Sequence, residues 1–294
     1  MQRARVIIDT DPAIGIPFHD VDDALAILYL LALGDEFEVL GVTPIAGNAP
    51  LHRAVPIAHE ILGVAGRGDI PVHPGASGAR GLGRPTQASR FLVQAVRENP
   101  GEVSILAIGP LTNVATAGLT DPEFFGNLGR IVVMGGAIAA GYGLPLAGPL
   151  EFNFLKDSSA ASAVLAAECE KVIVTMDLCV QVVFTRRELD ALLTIPNRQA
   201  VYLARNVAPW LRVNSLAPTP WKGGFVPWDV IAAIYMRRPE LFEESETCLR
   251  LREGRWRTGA VERCYDTSHL CRLPQRVRAG ELLDEFLDVI ALYG

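Results

Sequence analysis

Five aspartates fall within the first 23 residues: Asp9, Asp11, Asp20, Asp22 and Asp23. The apolar run Val6-Ile7-Ile8 precedes them, and an amphipathic stretch continues to Leu33. A strand ending in carboxylates, followed by a helix beginning with them, gathers negative charge at one point. Like charges this close repel, which costs stability unless a cation sits among them. Clusters of oxygen ligands suit a hard cation, Ca²⁺ or Mg²⁺. The pattern predicts a metal-dependent site at the carboxyl end of the first strand. An Asp in a first helical turn also caps free N–H groups. Capping accounts for Asp20 alone, but one cap does not need Asp11, Asp22 and Asp23 together.

The rest of the chain supplies the elements that must hold these groups. Arg5–Ile8, Glu38–Pro44, Ser104–Ile108, Arg130–Met134 and Lys171–Met176 are short, apolar and β-branched without alternation. Such runs read as parallel strands covered on both faces. Helical patterns lie among them at Val21–Leu33, Leu51–Leu62, Arg90–Glu98, Thr112–Leu119, Ser158–Glu168 and Arg186–Leu193. Strand alternating with helix predicts an α/β fold, a mainly parallel central sheet flanked by helices. Thr247–Leu273 reads as a small C-terminal antiparallel addition, and Glu281–Leu292 as a closing helix. In such sheets ligands bind outside the carboxyl ends of the strands. Asn206–Trp228, rich in Pro and Trp, reads as a long active-site loop. No repeat or low-complexity tract divides the chain, so residues 1–294 read as a single domain.

Composition narrows the function. The 294 residues are half apolar and 20% charged, ordinary for an enzyme-sized globular chain. A net charge of −6 with no basic stripe argues against nucleic acid. The arginines of LRLREGRWR alternate like a solvated hairpin face. No stretch reads as a transmembrane helix or a leader, which makes the cytoplasm the default expectation. Five cysteines, an odd and sparse set, predict no disulfide scaffold, and Cys264, His269 and Cys271 match no standard zinc spacing.

Further polar residues sit at strand ends. They are Asn48 after Gly47, Gly135-Gly136 after Met134, Glu151-Phe152-Asn153, and Trp228-Asp229. With them the chain resembles the inosine–uridine-type nucleoside hydrolases. Asp9-Thr10-Asp11-Pro12 with Asp22-Asp23-Ala24-Leu25-Ala26 is similar to their DTDPGxDDALA signature. Gly41-Val42-Thr43 to Ala46-Gly47-Asn48, Ala107 to Asn113, Ile131 to Gly136, Glu151-Phe152-Asn153 and Asp229 match further motifs in order. The ordered set spans residues 5 to about 235 and is far more specific than any one motif.

The resemblance implies hydrolysis of ribonucleosides to ribose and free base in nucleoside metabolism. It implies Ca²⁺ held by Asp11, Asp23, Asp229 and the Val133 carbonyl, with Asp11 as general base toward a calcium-bound water. It places Asp22, Asn48, Glu151 and Asn153 on the ribose hydroxyls and Asp9 behind the site. A small-molecule nucleoside would be the partner, and the assembly a homodimer or homotetramer. N-glycosidic cleavage passes through an oxocarbenium-like state, so groups gripping the sugar hydroxyls serve the reaction, and ribose should be preferred over 2′-deoxyribose.

Three departures mark this chain. The turn between Asp11 and Asp22 is longer than the family's, with an inserted loop over 13–21. Phe18 or His19 could lie over the pocket, and Asp20 competes with Asp22 for the sugar position. Pro145 stands where many members carry an asparagine for the 5′-hydroxyl. Trp228 replaces a histidine proposed as leaving-group acid, as in purine-preferring members. An indole can stack on a purine, so the pattern predicts purine preference and a role in purine salvage. Trp210 and Trp221 are candidates for a second stacking wall.

Two rival readings fit parts of the pattern. Asp9-x-Asp11 after a strand also resembles haloacid-dehalogenase-type phosphatases, but Ala13 and the scarcity of lysine (Lys156, Lys171, Lys222) fit that pattern poorly. A degenerate member could bind a nucleoside or nucleobase without turnover, or act on a modified nucleoside. The retained carboxylates favour catalysis.

Overall fold

The computed structural model of the chain describes residues 3–138, 143–144, 148–216, 221, 223–252, 258–265 and 269–293. Its main sheet has eight strands. In chain order they are β1 (Ala4–Thr10), β2 (Phe37–Pro44), β3 (Val103–Ala107), β4 (Arg130–Met134), β5 (Lys171–Val174), β6 (Phe242–Leu251), β7 (Val261–Cys264) and β8 (Leu270–Val277). Their order across the sheet is β7-β6-β8-β5-β4-β3-β1-β2. Pairing is parallel from β2 through β1, β3, β4 and β5 to β8. It is antiparallel for β8–β6 and β6–β7. The expected antiparallel addition therefore extends the main sheet. Cys248 and Cys264, opposite each other on β6 and β7, form a disulfide. Five cysteines do not make a disulfide scaffold, but they do make this one staple.

The β1–β4 strands are buried on both faces, as their unbroken apolar runs require. Val6 and Ile8 face one core cluster while Ile7 faces the other. Leu106 and Val132 likewise point opposite to Ile105, Ile131 and Val133. One layer includes α1 (Asp22–Ala32), α2 (Leu51–Val64), and later helices from the C-terminal half. The opposite layer includes α3 (Gln87–Glu98) and α4 (Thr112–Thr120). From β1 the chain pairs with β2 on one side and then returns to place β3 on the other. Strand order reverses there, the position where such sheets open a crevice.

The remaining helices are α5 (Phe152–Lys156), α6 (Ser158–Leu165), α7 (Met176–Cys179), α8 (Arg186–Thr194), α9 (Arg198–Leu216), α10 (Trp228–Arg237) and α11 (Ala279–Ala291). The expected loop over 206–228 is corrected by α9. Ala200, Leu203, Ala204, Val207 and Leu211 are all buried at helical spacing. Burying Leu203, Val207 and Leu211 contributes about 1.5–3 kcal/mol each. Together the three exceed the roughly 3 kcal/mol cost of Pro209 inside the helix. Residues 217–220 and 222 lie outside the described residues, as do Pro145, Arg255 and Arg257. Among the described residues, no helix is long and apolar enough to cross a membrane.

Candidate functional site

Two helices begin where β1 ends. Asp22 and Asp23 open α1, and Trp228 and Asp229 open α10. The two helices pack together, and every residue of α1 from Asp22 to Leu31 is buried. A helix apolar all round belongs in a core. The polar end it carries must therefore be satisfied internally. Helix N-termini favour carboxylates through the dipole and unpaired N–H groups. Asp22, Asp23 and Asp229 each offer a carboxylate oxygen within 4.8 Å of the other two.

Asp11 completes the cluster from the strand side. Its Oδ2 accepts from the Asn48 N–H, and its own N–H donates to Asp23 Oδ1 at 3.1 Å. Thr10 donates its hydroxyl to the same Asp23 oxygen. Gly47 permits this approach, because a Cβ there would stand 1.9 Å from Asp11 Oδ2. Asp11 Oδ1 and Asp23 Oδ2 are buried and have no hydrogen-bond partner among the described residues. Behind them Asp9 Oδ1 accepts from Thr43 at 2.6 Å and Asn113 at 2.8 Å, and its Oδ2 is also unpartnered.

Electrostatics follow from this crowding. Burial pushes Asp9 and Asp23 up to about 7. Burial, then the charge of Asp23, raises Asp11 well above the ordinary range. Burial, then Asp20, raises Asp22. Burial, then Asp22 and Asp23, raises Asp229. Burial of this kind is tolerable when a cation offsets it. The unpartnered buried oxygens and the all-oxygen donor set fit a hard divalent ion.

A pocket of about 180 Å³ opens beside the cluster. Asp20, Asp22, Asn48, Glu151, Asn153 and Asp229 supply its polar wall. Ile108, Met134, Met176 and Trp228 supply apolar surface. Glu151 caps α5: its Oε1 accepts from Asn153 N at 2.8 Å, and its Oε2 from Phe154 N at 2.9 Å and Gly136 N at 2.8 Å. Burial raises its pKa and these three donors oppose the rise. Asn153 gives its amide N–H groups to the carbonyls of Ile108 and Met134, at 3.2 and 3.1 Å. Its Oδ1 is thus the group it can offer as an acceptor. Trp228 is half-buried and meets Trp221 edge to face, with ring centroids 5.7 Å apart.

The structure brings Asp22, Asp23 and Asp229 into one cluster, with Asp11 joined to it through its N–H to Asp23, and sets Asn48, Glu151, Asn153 and Trp228 on one pocket. Val133 lies on β4 between Ala107 and Ile173, next to pocket-lining Met134. Asp22, expected on the sugar side, also converges with the metal-facing carboxylates. Phe18 does not cover this pocket. It is 80% exposed with φ +64°, and with His19 it lines a separate groove against Asn206, Trp210 and Val213. Trp210 is thereby corrected from stacking wall to loop support. Thr10, Thr43 and Asn113 were not anticipated as supports. Their signal was present in the motif strings, without a partner to give it meaning.

The comparisons agree with this geometry. Residues 6–279 match the family described as inosine-uridine preferring nucleoside hydrolase. A probable uridine nucleosidase 2 of Arabidopsis thaliana is 33% identical, over 85% of this chain and 82% of its own. A pyrimidine-specific ribonucleoside hydrolase of Shewanella baltica is 29% identical, over 82% and 80%. Among solved structures a plant nucleoside hydrolase superposes with TM-score 0.87 at 25% identity, covering 99% of both chains. A purine-preferring ribonucleoside hydrolase from Gardnerella vaginalis shares the fold, with TM-score 0.85 at 22% identity over 98% of both. With the motifs in order and the carboxylates converged, the chain belongs to the inosine-uridine preferring nucleoside hydrolase family, hydrolases that act on N-glycosidic bonds.

Proposed function

We propose that this protein, acting as one domain, hydrolyses ribonucleosides to ribose and free base with Asp11 as general base. The supporting observation is a set of buried carboxylates at two helix N-termini, opening onto a pocket of hydroxyl acceptors. Asp11, Asp23 and Asp229, with the Val133 carbonyl, would hold the cation, for which calcium is our reading. When bound, the ion supplies positive charge that lowers the pKa of a nearby water and orients it. Asn48 fixes one oxygen of Asp11, and the unpartnered oxygen takes a proton from the attacking water. The water oxygen adds to the anomeric carbon as the bond to the base nitrogen breaks, its electron pair leaving with the base, which takes up a proton from solvent. Asp22, Asn48, Glu151 and Asn153 hold the sugar hydroxyls while the ring flattens. Asp11→Asn tests the assignment. Turnover should fall by at least about 10²-fold while nucleoside still binds. Unchanged turnover would remove Asp11 from the chemistry, and a protein that binds without any turnover would be the degenerate member considered above.

For the base we propose a purine, in a salvage role. Trp228 presents an indole to the pocket, and stacking favours the larger ring system. A uridine reading has its own support in the 33% identical relative named a uridine nucleosidase. Comparing kcat/KM for inosine and uridine separates them. Trp228→Ala should lower the inosine value by about threefold to tenfold and spare uridine. Faster turnover of uridine by the parent protein would favour the second reading.

A homodimer or homotetramer is proposed with it. The exposed Phe18, Val213 and Leu216 are apolar surface of the kind that partners cover. Sedimentation of the purified protein tests this, and a monomer would contradict it. The cytoplasm is the proposed location. The Cys248–Cys264 disulfide is the feature that weighs against it, since cytosolic reductants oppose such bonds.

A further inference from the structure

The inserted turn between Pro12 and Val21 is anchored at both ends and along its length. Ile14 is buried in the main core, and Gly15 turns at φ +83° beside Asn206. The N–H of Ile16 donates to the Ala13 carbonyl at 3.0 Å, and that of His19 to the Ile16 carbonyl at 3.2 Å. Ile16, Pro17 and His19 lie along α9 rather than over the pocket. The turn thus folds outward and returns, and the residue it returns into the pocket is Asp20.

Asp20 is half-buried, and its Oδ1 accepts from the Val21 N–H at 2.7 Å. Its carboxyl stands within hydrogen-bonding reach of the Asp22 carboxyl. Asp22 is held in a matching way, its Oδ2 accepting from the Asp229 N–H at 3.2 Å. Each side chain is thus anchored by a backbone N–H, and the two carboxyls stand side by side on the pocket wall. Two acceptors placed side by side match two adjacent hydroxyl donors. A ribonucleoside carries such a pair, the vicinal 2′- and 3′-hydroxyls, whereas a deoxynucleoside lacks one of them. A buried acceptor left without its donor is penalised, which makes such a site selective.

We propose that Asp20 is a specificity-determining residue that, with Asp22, accepts hydrogen bonds from the vicinal diol of the ribose. The proposal rests on the nucleoside reading above and adds a sugar contact from the inserted turn. The measurement is calorimetric binding of inosine, 2′-deoxyinosine and 3′-deoxyinosine, with the uridine set alongside. It uses the calcium-loaded Asp11→Asn protein with and without Asp20→Asn. Loss of one charge-assisted bond should weaken ribonucleoside binding about tenfold or more. One of the two deoxynucleosides, the one already missing the hydroxyl Asp20 holds, should change by less than about twofold. Equal weakening of all three, or no weakening, overturns the proposal. Base release by the parent protein is followed in parallel. Hydrolysis without a hydroxyl-selective effect of Asp20→Asn rejects the diol contact alone. Neither binding nor hydrolysis of any nucleoside rejects the functional reading and the contact with it.

Discussion

Replacing Asp229 by asparagine removes one charge from the cluster and keeps its shape. The Asp229 carboxylate lies within 4.8 Å of those of Asp22 and Asp23. Two unit charges at that separation repel by about 3.5 kcal/mol at an effective dielectric near 20. Burial and repulsion raise the pKa of all three groups, so proton uptake already relieves part of this near neutral pH. A net gain of about 1–2 kcal/mol should remain for metal-free Asp229→Asn. Its Tm should rise by about 2–4 °C per kcal/mol. Calcium reverses the order. The variant has lost a ligand, and a tenfold weaker affinity removes about 1.4 kcal/mol of calcium-linked stability. The assay is thermal unfolding by circular dichroism, after dialysis against EDTA and again across a calcium series. Most substitutions at buried sites destabilise, so a metal-free gain coupled to a smaller calcium response is a discriminating result. A metal-free variant less stable than the parent, with an unchanged calcium shift, would refute the reasoning.

The same electrostatics set a pH dependence. Burial lifts Asp9 and Asp23 from 3.8 to about 7, so between roughly pH 4 and 7 the folded metal-free protein holds more protons than the unfolded chain. Its stability should fall as pH rises through that window, and calcium should flatten the fall; a metal-free Tm that climbs from acid to neutral pH would contradict this. Gly47→Ala would set a methyl 1.9 Å from Asp11 Oδ2. We expect at least about 10²-fold slower turnover and a stability loss of about 1–3 kcal/mol, so near-parental kinetics would show that Asp11 tolerates displacement. Asn113→Ala leaves Asp9 with Thr43 as its side-chain donor. A loss of about 1–3 kcal/mol in denaturant unfolding, with KM little changed, is the expected outcome.

The strands β1 to β5 were legible because burial on both faces forces continuous apolar runs, and their ends moved by no more than two residues. The carboxylates were legible because five of them crowd one short stretch. What stayed hidden has physical causes. Pro209 masked α9, since the buried stripe that overrides it spans a longer window than the proline signal. Asp20 and Asp22 competed for one role in the sequence, whereas the outward fold of the inserted turn gives both a place on the pocket. Asn113 sat inside a matched motif without a role, because its partner Asp9 is 104 residues away. Cys248 and Cys264 carried no pairing signal until β6 and β7 set them in register.

The central claim is that a divalent cation held by these carboxylates enables N-glycosidic hydrolysis. The most direct measurement is release of free base from inosine and uridine by the purified protein, before EDTA treatment, after it, and after restoring calcium. The account predicts release that EDTA abolishes and calcium restores, with Asp11→Asn inactive throughout. Release that continues undiminished in EDTA, or no release from either nucleoside by protein shown to hold calcium, would contradict it.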